Sequence, residues 1–193
     1  MKFRPVTIFS GHVFNVPQCV QRIDTRATHG WQLRYGGTKL FSDHSTDGSG
    51  AAAALEKATR ELLKRIAALP APSMLQRGPS QNKTSNLPVG ISGPVVRLRQ
   101  KSQVRDCSLS VLIPRFGLKP QRRSIYIGTE NTYTVARFEA ALARAVALRS
   151  EAEEVYEKAA TRAKRAQGRA LKLQMRMDAS AATQGFVHRV AMV

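Results

Sequence analysis

A chain of 193 residues that sets 31 Lys and Arg against 13 Asp and Glu, for a formal net charge of +18, is drawn strongly to any polyanion. Its 42% apolar content can build the core of one ordinary domain or two small ones, which excludes wholesale disorder. No apolar run reaches the roughly 18 to 20 residues of a membrane-spanning helix, and the opening MKFRPVTIFSGHVFNVP breaks its apolar stretch too early for a secretory signal. Cys19 and Cys107 are the only cysteines, too few for a disulfide framework and outside any CxxC or Cys/His cluster. A reducing cytoplasmic setting is expected, with no membrane, metal or cofactor. No HExxH, GxSxG, P-loop or paired-carboxylate pattern is present, so an enzyme is not expected.

The basic residues are spread along the chain. Residues 1–70 hold ten Lys and Arg with five acids, and residues 71–193 hold 21 with eight. Along 94–127, Arg97, Arg99, Lys101, Arg105, Arg115, Lys119, Arg122 and Arg123 face a single acid, Asp106, on a segment that alternates like a strand.

In chain order, the first unit offers strands at 19–25, 31–35 and 38–42, the last two joined by the tight-turn dipeptide Gly36-Gly37. A break at Asp43 to Gly48 leads to a helix over 51–69, capped by Ser49 or a neighbour and stopped by Pro70. Leu55, Leu62, Ile66 and Leu69 give that helix one apolar face. Residues 71–89, rich in Pro, Gly, Ser and Asn, read as a linker between a 1–70 module and a 90–149 module. The second module offers strands at 95–100, 108–113 and 123–128 and a helix from about Thr132, with an apolar stripe of Val135, Phe138, Leu142 and Ala145. Residues 150–193 read as a basic C-terminal helix and tail, acidic over 151–157 and basic over 158–176, an order that suits the helix dipole. Periodicity leaves open whether this helix continues the previous one or starts afresh at the capping-box pattern Ser150-Glu151-Ala152-Glu153. The fold class is therefore α+β: two modules, each a three-stranded antiparallel sheet packed on one helix, with a long basic C-terminal helix.

The second module resembles a known family. Gly90-Ile91-Ser92-Gly93, a basic strand, Ser108-Leu109-Ser110-Val111, then Ser124-Ile125-Tyr126-Ile127-Gly128-Thr129 and a helix carrying Ala136 follow the order of the APETALA/ethylene-response-factor type of DNA-binding domain. Tyr126-Ile127-Gly128-Thr129 is the most specific match; Leu109 stands near the point where that family usually has a tryptophan. A looser copy covers 19–69 through Gly30-Trp31-Gln32-Leu33-Arg34. The module is also similar in form to the arm-binding domains of tyrosine recombinases. The resemblance implies a sheet laid in the DNA major groove, with strand side chains touching bases and phosphates.

Strict alternation turns Val96 and Leu98 toward the helix and Arg97, Arg99 and Lys101 outward; on the third strand it leaves Arg122, Ser124 and Tyr126 outward. In the first module it sets Trp31, Leu33 and Tyr35 inward and Arg22, Arg26, Gln32, Arg34 and Lys39 outward. Arg suits such a face because its planar fork reads guanine or clamps a phosphate. The expected function is sequence-preferring binding of double-stranded DNA by a transcriptional or mobile-element regulator, nucleoid-associated. The alternative is an RNA-binding or ribosome-associated protein. Val155, Ala159, Ala163, Ala166, Ala170 and Leu173 form a seam through which the C-terminal helix would form a homodimer.

Overall fold

The structure, a computed structural model, describes residues 1–99 and 103–190, with side chains as far as Met177. It is α+β, with three antiparallel sheets and two helices among the described residues. The chain divides into two compact units, Met1–Pro72 together with Thr161–Val193, and Ser73–Ala160. No helix among the described residues is long and apolar enough to cross a membrane.

The first unit opens with a hairpin absent from the sequence reading, β1 (Phe3–Thr7) and β2 (Val13–Pro17). Its three-stranded sheet follows: β3 (Val20–Asp24), β4 (His29–Arg34) and β5 (Thr38–Ser42), in sequential order. Gly36 and Gly37 make the β4–β5 turn at φ of +61° and +103°, backbone angles that a side chain disfavours. Helix α1 (Ala51–Ala68) lies behind the sheet, burying Ala51, Ala54, Ala58, Leu62 and Ile66. Small alanines bring it close enough for the Trp31 indole to donate to the Ala51 carbonyl at 2.8 Å. Trp31 is 0% exposed, and a buried tryptophan contributes on the order of 4–6 kcal/mol by area.

The cap falls on the neighbour of Ser49, with no side-chain hydrogen bond. The N-cap is Gly50, and a Cβ there would collide with the Asp43 carbonyl, so the turn into α1 requires glycine. The loop uses its side chains one step earlier: Ser49 N–H donates to Asp47 Oδ1 at 2.9 Å and Gly50 N–H to Ser45 Oγ at 3.1 Å. Pro70 follows the Leu69 C-cap, as expected for a helix stop.

The second unit contains β6 (Ile91–Leu98), β7 (Arg105–Ile113) and β8 (Gln121–Thr129), with β7 central. Strand β6 begins earlier than its alternation suggests because Gly93 and Pro94 occupy a register shift between Ser92 and Val95, the place where an edge strand tolerates proline. Ile91, Cys107, Leu109, Val111 and Ile127 form its core with Ala141 and Ala145 of helix α2 (Val135–Val190). Thr132 precedes the helix, its hydroxyl receiving the Thr129 N–H at 2.9 Å, while Thr134 Oγ1 receives the Arg137 N–H at 3.2 Å.

One expectation changes here, and one choice that periodicity left open is decided. Residues 73–89 of the expected linker belong to the second unit: Lys83 Nζ donates to the carbonyls of Leu87, Pro88 and Ile91, and Leu87 packs on the core. Helix α2 also runs through Ser150 without a second start, so the capping-box pattern there is interior helix, with Arg149 paired to Glu153 at 2.8 Å. Alanine-rich sequence on both sides makes continuation cheaper than an interruption.

Candidate nucleic-acid interface

Register assigns each strand residue to a face. In the second sheet, four cross-strand rows point away from the α2 side: Leu112 with Arg122; Ser92, Ser110 and Ser124; Val95, Ser108 and Tyr126; and Arg97, Asp106 and Thr129. The middle of this face is a field of hydroxyls bearing one aromatic, Tyr126, 48% exposed. Its two ends are basic, with Arg122 at one and Arg97 and Arg99 at the other. On β7, Leu112 and Asp106 mark those ends, about 20 Å apart at strand rise.

Arg97 and Asp106 lie directly opposite, while the Arg99 guanidinium holds Asp106 Oδ2 at 2.8 Å. That hydrogen bond and the carboxylate charge raise the Arg99 pKa above its ordinary value. The other carboxylate oxygen, Oδ1, is buried with no hydrogen-bond partner among the described residues, at the strand position opposite Arg97. The Tyr126 carbonyl accepts from Arg144 of α2 at 3.3 Å, which ties the strand carrying the aromatic to its supporting helix.

The sequence reading thus places Arg97, Arg122, Ser124 and Tyr126 correctly on one outward face, with Arg99 just past the end of β6. Lys101 lies outside the described residues. Val96 and Leu98 do not pack as expected: they remain 58% and 59% exposed, because the core against α2 draws nothing from β6 beyond Ile91. Ser92, Ser108 and Ser110 were missed, although the repeat Ser108-Leu109-Ser110-Val111 carries the alternation that puts both serines on the outer face.

The first sheet departs further. Arg22 pairs in register with Trp31 and Lys39 with Leu33, so both belong to the helix-facing side and not the outer face. Arg22 is an interior ion pair. Its guanidinium meets Asp43 through bonds of 3.0 and 2.6 Å and Asp24 at 2.9 Å, with side-chain exposures of 6% for Arg22 and 0% for Asp43. Burial works to lower the Arg22 pKa, but the hydrogen bonds and charges of Asp43 and Asp24 outweigh it and raise the value. The guanidinium also lies 5.0 Å over the Trp31 ring. Lys39 is exposed at the sheet margin, 5.2 Å from the Phe41 ring centroid. Arg26 sits in the β3–β4 turn, not on a strand. Only Gln32 and Arg34 share the outer face as expected, joined by a 2.6 Å hydrogen bond. With Gln21, Ile23, Thr38, Leu40 and Ser42 for neighbours, that face is close to neutral.

Among the described residues, no three His, Cys, Asp or Glu side chains gather as a metal site. The second unit defines a class of module: a three-stranded antiparallel sheet backed by one helix, its free face hydroxyl-rich in the middle and basic at both ends. Compared with known proteins, the chain matches no protein-family model, no curated protein and no solved structure.

Proposed function

We propose that the protein binds double-stranded DNA by laying the outer face of the β6–β7–β8 sheet in the major groove, as a transcriptional or mobile-element regulator. The observation that carries this reading is the row pattern: short serines at the centre and arginines at both ends. Three strands spaced about 4.8 Å apart make a backbone layer roughly 10 Å wide, which enters a major groove about 12 Å wide only when its side chains are short. Ser92, Ser108, Ser110 and Ser124 keep the layer thin and offer hydroxyls that donate or accept. With strands along the groove, the roughly 20 Å between the two basic ends covers about six base pairs.

Arg97 and Arg122 are the residues for bidentate contact with guanine or phosphate. Arg99 reaches DNA by releasing Asp106, whose carboxylate then accepts from a cytosine amino group or is repelled by phosphate; either outcome makes the Arg99–Asp106 pair a selector between sites. Arg115 and Lys119, exposed in the β7–β8 loop, supply phosphate contacts.

Selection of bound duplexes from a random pool tests this. A preferred site of about six base pairs is expected. The double change Arg97→Ala, Arg122→Ala should lower affinity for it by about 10- to 100-fold or more while the melting temperature holds. Unchanged affinity, or full displacement by equimolar duplex RNA, whose deep and narrow major groove cannot admit a sheet, would reject the proposal.

A further inference from the structure

A second basic feature lies in the first unit and takes no part in the sheet face. Helix α1 and the part of α2 from Thr161 border a groove of about 790 Å³. Its floor is apolar, made by Leu63, Ile66 and Ala67 of α1 and by Gly168 and Met175 of α2. A Cβ on Gly168 would come within 2.9 Å of Ile66 Cγ2, so glycine is what lets the two helices meet closely beneath the groove. Its walls are cationic: Arg60 and Lys64 on one side, Arg165, Arg169, Lys172 and Arg176 on the other. The only acid in the lining, Glu56, is already held by Arg60 at 2.5 Å. Among the described residues, no ion pair engages Lys64, Arg165, Arg169, Lys172 or Arg176.

Two requirements must be met together in this groove. A phosphate chain would satisfy the cations and leave the apolar floor wet, while an uncharged apolar ligand would cover the floor and leave like charges facing one another across it. A helix with an apolar stripe and acidic flanks answers both. The spacing agrees: Arg165, Arg169, Lys172 and Arg176 recur at i, i+4, i+7 and i+11, a rail about 16 Å long, and Arg60 and Lys64 stand at i and i+4 on the opposite wall. We propose that this groove docks an acidic amphipathic helix of a partner protein, a protein-recruiting site separate from the DNA-binding sheet.

The test uses the full chain and a fluorescein-labelled, N-acetylated peptide of about 18 residues, with leucines at i, i+3, i+4 and i+7 and glutamates on both flanks. Its control is a permuted peptide of the same composition that scatters the leucines around the helix. The patterned peptide should bind with a Kd on the order of micromolar, and the permuted one at least about tenfold more weakly. Changing the exposed Arg169→Glu and Lys172→Glu together should weaken the patterned peptide at least about tenfold, with helicity, melting temperature and DNA affinity retained. Equal binding of both peptides would reduce the groove to a charge effect and overturn the proposal. So would complete displacement of the peptide by duplex DNA from the Arg97→Ala, Arg122→Ala variant, which would make the groove a phosphate site. A dimer in sedimentation that the Arg169→Glu, Lys172→Glu change dissolves would assign the groove to a second copy instead.

Discussion

The two three-stranded sheets share their strand order and each has a helix behind it, yet they use arginine in opposite ways. Arg22 of the first sheet turns inward to Asp43, whereas Arg97 and Arg122 of the second face outward beside serines. One residue of register separates these fates, because adjacent positions on a strand point to opposite faces. An interior arginine serves folding and a surface arginine is free for a ligand, so the count of basic residues does not distinguish the two sheets.

Arg22→Ala leaves Asp43 buried without its partner and should cost about 3–5 kcal/mol of stability, read by denaturant or thermal unfolding. DNA affinity of the folded fraction should not change. The same truncation at Arg122, exposed on the second sheet, should leave stability within about 0.5 kcal/mol and lower DNA affinity by about 1–3 kcal/mol. A loss of DNA binding by folded Arg22→Ala protein would mean that the first unit also takes part in recognition.

Gly50→Ala should destabilise the first unit by about 1–3 kcal/mol through the clash with the Asp43 carbonyl, a loss that a cap-improving Gly50→Ser change cannot repair because it carries the same Cβ. Comparable stability of Gly50→Ala and the parent would show that the β5–α1 turn relaxes freely. For the second sheet, binding should fall with salt at a log–log slope of about −4 to −5 if some five phosphates are neutralised. Arg34→Ala, on the nearly neutral first sheet, should leave that slope unchanged.

The smallest expected effect is a pH dependence confined to the first unit. Burial acts to raise the Asp24 carboxyl pKa, but the hydrogen bonds from Arg22 and His29 prevail and hold it below the ordinary carboxylate range. A carboxyl with a depressed folded-state pKa stabilises the fold above its unfolded value of about 3.9, and the contribution disappears as pH falls through the folded value. Stability of the parent should therefore drop more steeply below about pH 4 than that of Asp24→Asn, which lacks this linkage. Parallel pH profiles for the two proteins would sever Asp24 from the acid response.

Much of the architecture was legible because its signals are local. Gly36-Gly37, Pro70 and the alternation of Ser108-Leu109-Ser110-Val111 each mark a turn, a stop or a strand from neighbours in the chain. The β1–β2 hairpin was missed because its five-residue loop, residues 8–12, carries no Gly-Gly or Asn-Gly turn, only Ser10-Gly11 with Gly11 at a φ of +84°. Arg22 was misassigned because its face depends on which residue of β4 it pairs with, and nothing within β3 itself decides that. The groove of the first unit was invisible for the same reason: Arg60 and Arg169 are far apart in sequence and meet one lining only through helix packing.

By itself, then, the sequence determined an α+β chain with an excess of positive charge, two sheet-and-helix units, and an alternating, arginine-bearing second sheet, all consequences of local periodicity and composition. Tertiary structure alone decided where that charge is available. Pairing register buried Arg22 with Asp43 and left Arg97 and Arg122 outside, and the docking of distal α2 on α1 gathered six further cations around an apolar floor. Side-chain exposure is a property of contacts between distant segments, and those contacts are set by packing and not by nearest neighbours in the chain.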